Sequence, residues 1–309
     1  MSKLIYNALY HKESSVKSPN SIGGNGVEIY LKNSFVSLFS AKYHNPDCDV
    51  AIVTNQTLPE PYHTLYVKTG IKEIIVPFEK YIFPENFKWG YAFYKLQALE
   101  YVVKSLEYDT YLALDTDTYI NLSLDSLWSE AESNKVILYT LNYDAENSSR
   151  RKITEDYNRL FHKSDTLMQY GGEFICGKRD ILLSLTDKIG MIYEKIESDD
   201  YSIHMDAGDE AILSMAAHES DQIMSAAPYI CRFWTRKAYY TVHSNWKEVP
   251  VWHVPAEKNF GMIKMYRYIQ KHEKCPGMRI CKSYFNFWNR SYFTISMIQY
   301  YVYRVLHSI

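Results

Sequence analysis

Tyr111-Leu112-Ala113-Leu114-Asp115-Thr116-Asp117 is the stretch on which the fold turns. Its apolar run reads as a buried strand that delivers two carboxylates, one residue apart, to the rim of a sheet. A hard divalent cation takes oxygen ligands and keeps substrate phosphates in its shell. Such a cation neutralises charge that develops on a departing diphosphate. The same letters also describe a solvated turn whose acids start a helix, and a bare Asp-x-Asp does not separate the two.

Working outward, the flanks alternate between strand and helix signals. Upstream, Ala92, Leu96, Leu99, Val103 and Leu106 form one stripe of an amphipathic helix that feeds the strand Thr110–Leu114. Before it, Lys3–Leu9 reads as a first strand and Ser18–Gly26 as a loop. Leu31, Phe35 and Leu38 recur at helical spacing, and Asp49–Thr54 and Glu73–Pro77 are short β-rich runs. Downstream come a strand at Val136–Leu141 and a polar, basic stretch around Arg150-Arg151-Lys152. A short strand Glu173–Cys176 opened by Gly171-Gly172 follows, then a helix carrying Leu182, Leu185, Ile189, Ile192 and Ile196. The pattern predicts an α/β fold: a Rossmann-like, mainly parallel sheet flanked by helices, with the chemistry in loops at strand ends. After about Pro276 the character changes. The expected division is a catalytic domain over 1–272 and a basic, aromatic, helical tail over 273–309.

Composition narrows the partners. A chain of 309 residues with 47% hydrophobic content buries a large core. A formal net charge of −2 provides no general basic field, which argues against nucleic acid as a partner. The 29 tyrosines suit sugar-binding clefts and ordinary cores alike. Five cysteines without metal-type spacing fit free thiols in a reducing compartment. The first residues carry no apolar signal core and no window approaches the ~18 apolar residues of a span, so the expected location is cytoplasmic. From Lys274 onward there are five Lys/Arg, no acid and many aromatic rings. That pattern points either to peripheral attachment at the inner face of a membrane or to a helix packed on the domain.

Further candidates lie on either side of the acid pair. Gly171-Gly172 permits close backbone approach to a ligand, or forms a turn before an edge strand. Asp209-Glu210 opens a helix, where acids are also favoured by the macrodipole. His253 stands between hydrophobic neighbours in Val251-Trp252-His253-Val254, as a core histidine also would. Lys95 lies on the helix before the acid strand, and Lys258 follows His253.

Taken in this order and spacing, these motifs resemble the GT-A fold glycosyltransferases over about residues 1–270. The resemblance implies a nucleotide-sugar donor and transfer of its hexosyl or pentosyl group to a glycan or lipid-linked acceptor hydroxyl. It implies Asp115, Asp117 and His253 as ligands of Mn²⁺ or Mg²⁺. It implies Lys95, Thr116, Gly171, Gly172, Glu173 and Lys258 as donor contacts, and Glu210 with Asp209 as the acids at the reacting carbon. The end of the first strand, Asn7 to Leu9, should lie near the nucleotide base. The pairing of Gly-Gly-Glu-Phe-Ile-Cys-Gly with Asp-Glu-Ala-Ile-Leu resembles retaining histo-blood-group-type transferases and leans the stereochemistry toward retention. Two alternatives remain at this point. Asp115-Thr116-Asp117-Thr118 also resembles the nucleophile motif of haloacid-dehalogenase-type phosphatases, and a non-catalytic sugar-binding protein would use the same scaffold.

Overall fold

A computed structural model of the chain describes residues 1–11, 26–84, 87, 89–204, 208–236 and 239–287. Most of the Ser18–Gly26 loop and residues 288–309 of the expected tail lie outside them. The elements, in chain order, are β1 (Lys3–Leu9), α1 (Gly26–His44), β2 (Asp49–Thr54), α2 (Tyr62–Lys68), β3 (Lys72–Ile75) and α3 (Tyr94–Ser105). Then come β4 (Thr110–Leu114), β5 (Thr118–Ile120), α4 (Asp125–Ala131), β6 (Val136–Leu141), α5 (Ser148–Phe161), β7 (Gln169–Lys178), α6 (Arg179–Ser198) and α7 (Asp209–His218). The chain continues through β8 (Ile223–Ser225), β9 (Ile230–Arg232), β10 (Thr235–Arg236), β11 (Tyr239–Tyr240), β12 (Val251–His253), α8 (Gly261–His272) and α9 (Met278–Tyr284).

Seven strands form the central sheet in the order β3-β2-β1-β4-β7-β6-β8. All neighbours are parallel except β7, which runs antiparallel to both β4 and β6. Side chains alternate across this sheet because the strand period is 2. Ile5, Val50, Ile52, Leu112 and Leu114 face the α1 side, while Leu4, Tyr6, Ala51, Val53 and Tyr111 face α3, α6 and α7. Both faces are buried, so these strands read in sequence as unbroken apolar runs. The expected α/β architecture with a mainly parallel sheet is what the chain forms. Among the described residues, no helix is long and apolar enough to cross a membrane.

Two local features differ from expectation. The basic stretch around Arg150 lies in α5, whose buried Ile153, Asp156, Tyr157 and Leu160 recur at helical spacing. Asn147 caps it, its side chain accepting from Ser149 N and Arg150 N at 3.0 and 3.3 Å, which satisfies otherwise orphan first-turn amides. Gly171 and Gly172 form neither a turn nor the opening of an edge strand. They lie inside the ten-residue, interior β7. Its register with β6 jumps there: Leu138 pairs Ile175 and Tyr139 pairs Gly171, so residues 172–174 bulge away from β6. Bulges commonly re-aim a side chain beside a functional site.

A second, three-stranded sheet, β5-β12-β9, carries the C-terminal part of the site. Beneath it, Trp252 packs against Tyr119, Phe285 and Phe287 with ring centroids 5.4, 6.0 and 5.2 Å apart. The chain up to residue 287 is therefore built into the core that supports this sheet.

Candidate active site

The acid pair lies just past β4, at the C-terminal ends of the parallel strands, where open α/β sheets bind ligands. Asn7, buried near the end of β1, donates to the carbonyls of Leu114 and Asp115 at 2.9 and 3.3 Å and accepts from Ser34 Oγ at 3.0 Å. Thr118 Oγ1 donates to Asp115 O at 2.8 Å, and Asp115 N–H donates to Glu173 O on the bulge of β7 at 3.2 Å. These bonds fix the turn that presents Asp115, the buried Thr116 and Asp117. The second sheet brings the rest. His253 pairs with Thr118 on one side and Arg232 on the other, and Val254 N–H donates to Asp117 O at 3.0 Å.

Asp115, Asp117 and His253 converge, each offering one ligand atom, with those atoms within 4.8 Å of one another. Among the described residues this is the one such group of three or more His, Cys, Asp or Glu residues. Asp117 is 1% exposed, yet neither of its carboxylate oxygens receives a well-formed hydrogen bond. His253 Nε2 and Lys258 Nζ lie 3.2 and 3.3 Å from Oδ2, as ion pairs. Two carboxylates and an imidazole, one acid buried without hydrogen bonds, fit a hard or borderline divalent cation such as Mn²⁺ or Mg²⁺. The ring is also held from behind, because His253 Nδ1 lies 3.1 Å from Glu173 Oε1, the support that orients imidazole ligands.

Electrostatics follow from these contacts. Burial raises the Asp117 carboxyl, but Lys258 and His253 outweigh it and hold it well below the usual carboxylate range. Burial lowers His253, while Asp117 and Glu173 push it up to about 9, so the metal-free protein carries an imidazolium here.

Lys95, from α3, is the hub on the other side. Its Nζ donates to Asp115 Oδ1 at 2.9 Å and to Gly172 O at 3.4 Å, and lies 2.8 Å from Asp209 Oδ2. Burial would lower this ammonium, but Asp115 and Asp209 keep it well above its usual value. Asp209 is raised by burial, opposed by Lys95 and reinforced by Asp115. Gly172 is what leaves room for this cluster: a Cβ there would lie 2.2 Å from Asp209 Oδ2 and 2.9 Å from Lys95 Nζ. Gly171 does the same for Glu173, whose Oε2 would lie 1.9 Å from an added Cβ.

Two residues of the site, Arg232 and Gln169, were not among those singled out in the sequence. Arg232, on β9, forks onto Glu173 (Nε to Oε1 2.7 Å, Nη2 to Oε2 2.8 Å) and reaches Glu210 Oε1 with Nη2 at 3.0 Å. Gln169 donates to the other Glu210 oxygen at 3.2 Å. An arginine inside Ile230-Cys231-Arg232-Phe233-Trp234 is itself a hint, since a charge in an apolar strand needs a buried partner. Glu210 is pushed up to about 7 by burial, with Arg232 opposing and Glu173 and Asp209 adding to the rise.

The structure thus brings Lys95, Asp115, Asp117, Gly171, Gly172, Glu173, Asp209, Glu210, His253 and Lys258 into one charged cluster, with Thr116 buried between the two acids. A separate cavity of about 830 Å³, beside Met1, Asp109 and Arg179, opens at the opposite end of β1 and β4, away from these groups.

No protein-family model matches the chain, and no curated protein matches it in sequence. Solved structures do. An active-site mutant of LgtC aligns with a TM-score of 0.50 and 14% identity, over 81% of this chain and 86% of that one. Mouse xyloside xylosyltransferase 1, apo form, aligns with a TM-score of 0.51 and 10% identity, over 82% of this chain and 97% of that one. The galactosyltransferase LgtC with donor and acceptor sugar analogues aligns at 0.49 and 15% identity, over 81% and 86%.

Proposed function

We propose that this chain, which has the GT-A fold, is a divalent-metal-dependent glycosyltransferase that moves a sugar from a nucleotide-sugar donor to an acceptor hydroxyl. The observation that carries the reading is the convergence of Asp115, Asp117 and His253 at the strand ends, with Glu210 beyond Glu173 on the far side of the same cluster. Asp115, Asp117 and His253 would hold Mn²⁺ or Mg²⁺. When bound, that cation supplies charge neutralisation for the departing diphosphate.

The remaining steps belong to the protein. Lys258 and Lys95 supply positive charge on either side of the ligand trio, where a diphosphate docks. Gly172 lets Asp209 and Lys95 close against the β7 backbone beside the ligand trio. Glu210, its two oxygens engaged by Arg232 and Gln169, is the acid we assign to the reacting carbon, where its carboxylate would supply negative charge. We infer a retaining transfer, in which this charge supports the oxocarbenium-like state; the Asp209-Glu210 helix start and the glycine-flanked β7 support that choice. In an inverting enzyme Glu210 would instead deprotonate the acceptor. NMR of the anomeric proton in the new bond separates the two.

A donor-hydrolysis screen over nucleotide-sugars, with Mn²⁺ and with excess chelator, tests the main proposal. Turnover of one donor that chelator abolishes is expected. Full activity in chelator removes the metal from the reading. No turnover of any donor favours a sugar-binding protein on the same scaffold. The acceptor class we propose is glycan or lipid-linked, reached from a membrane surface through residues 288–309, which lie outside the described structure. Because Phe285 and Phe287 are buried in the core, truncation after residue 287 should leave a folded, donor-hydrolysing protein that no longer pellets with anionic vesicles. Unchanged vesicle binding by that truncation would remove the membrane from the proposal.

A further inference from the structure

Arg232 sits between two acids but divides itself unequally. Two of its N–H groups fork onto Glu173, which is 1% exposed, and one reaches Glu210. The planar fork of an arginine suits such bidentate recognition, and a lysine would not reproduce it. Glu173 is in turn fixed by His253, and Arg232 itself by the pairing of β9 with β12. Glu210 therefore meets a guanidinium whose position and charge are already committed elsewhere.

We propose that Arg232, clamped on Glu173, is a positioning residue that orients Glu210 and sets how readily that acid takes a proton. The inference rests on the reading of Glu210 as the reacting acid. Its physical content is a balance of two opposed influences. Arg232 stabilises the Glu210 carboxylate, and Glu173, by sharing the same cation, weakens that stabilisation and adds a like charge. The other groups facing Glu210 are Gln169 from β7, Asp209 from its own helix, Lys95 from α3 and Tyr143 beyond β6. None of these is clamped to Arg232 by a fork. Glu210 is left titrating near neutrality, where its charge responds to small changes in this balance, and each of its oxygens accepts a hydrogen bond.

The test reads Glu210 directly, without donor or metal. Carbodiimide with glycine ethyl ester couples protonated carboxyls, and peptide mass spectrometry gives the modified fraction at Glu210 against pH. The wild-type midpoint should fall at about 7. Arg232→Met should move it up by about 1 to 3 units, since a neighbouring opposite charge is lost. Glu173→Gln, which keeps the size and removes the competing charge, should move it down. Arg232→Lys should fall between Arg232→Met and wild type. With a donor in hand, the acid limb of the kcat profile should move with the same signs. An unmoved midpoint in folded Arg232→Met or Glu173→Gln protein overturns the proposal, and Glu173→Gln decides alone if the Arg232 variants do not fold. Midpoints that move as stated, with no nucleotide-sugar turned over, would sustain the proposal and sink the transferase reading.

Discussion

Gly172→Ala is the smallest change that should disable the site. The added Cβ would lie 2.2 Å from Asp209 Oδ2 and 2.9 Å from Lys95 Nζ. Ordinary carbon–oxygen contact requires roughly 1 Å more than the first distance, so the carboxylate must withdraw by about that much. The Lys95–Asp209 pair, now 2.8 Å, would then open beyond hydrogen-bond range. Lys95 is 23% exposed and Asp209 8% at the side chain, so solvent screens the loss only in part. Weakening one charge-assisted contact at such a site costs about 1.5 to 3 kcal/mol. For a chain of this size, that lowers Tm by roughly 5 °C. Lys95 also holds Asp115, so displacing its ammonium moves one of the three candidate metal ligands. A misplacement of about 1 Å costs on the order of 10²-fold in turnover. Differential scanning fluorimetry and donor hydrolysis in Mn²⁺ read both effects. Gly90→Ala is the control, because its added Cβ meets nothing within 4 Å. If Gly172→Ala melts and turns over like Gly90→Ala, the packing argument for this glycine is wrong.

Other outcomes follow from the same contacts. Asp117→Ala should lose both sugar transfer and the rise in Tm that Mn²⁺ gives the wild type; a variant that Mn²⁺ still stabilises to the same degree would exclude Asp117 as a ligand. Glu210→Gln should bind nucleotide and Mn²⁺ normally by calorimetry but lose about 10² to 10⁴ in turnover, and near-normal turnover would return Glu210 to the role of a helix-start acid. His253 titrates at about 9 in the folded, metal-free protein, above its unfolded value of about 6.5. Its contribution is therefore fully present below about pH 6.5 and lost as pH rises toward 9. Tm without metal should fall across that window, while Mn²⁺ affinity should rise across it because the ligand must be deprotonated; a metal-free Tm that His253→Gln leaves with the same slope would refute the assignment.

Much of the framework is written locally in the chain. β1, β2, β4 and β6 are buried on both faces, so each appears as an unbroken apolar run, and α3 and α6 show their stripes directly. What escaped depends on partners far away in sequence. Arg232 acquires its role from Glu173, 59 residues earlier, and Glu210, 22 residues earlier; no window around Ile230-Cys231-Arg232 contains that information. α5 hid because only one narrow face is buried and the exposed remainder is strongly polar. The two glycines read as the opening of a short strand, or as a turn before it, because local propensity places glycine at strand ends, whereas tertiary crowding by Asp209 and Glu173 demands them in mid-strand. His253 was ambiguous for a related reason. Its apolar neighbours on β12 belong to a core, and it points the other way.

That last alternation bears on how far the protein can be altered. In β12, Trp252 anchors the aromatic layer with Tyr119, Phe285 and Phe287, and the next residue, His253, enters the charged cluster. A strand slipped by one residue exchanges the two faces. Any insertion or deletion before Val251 that is absorbed in β12 would thus bury an imidazole among tryptophan and phenylalanine rings and hand the charged cluster an indole. Lengthening of the loop ahead of β12 is tolerable only if the loop itself takes up the extra residues. In a library of loop-length variants, survivors should keep Thr118, His253 and Arg232 in one row, and the candidate site and the hydrophobic interior should fail together.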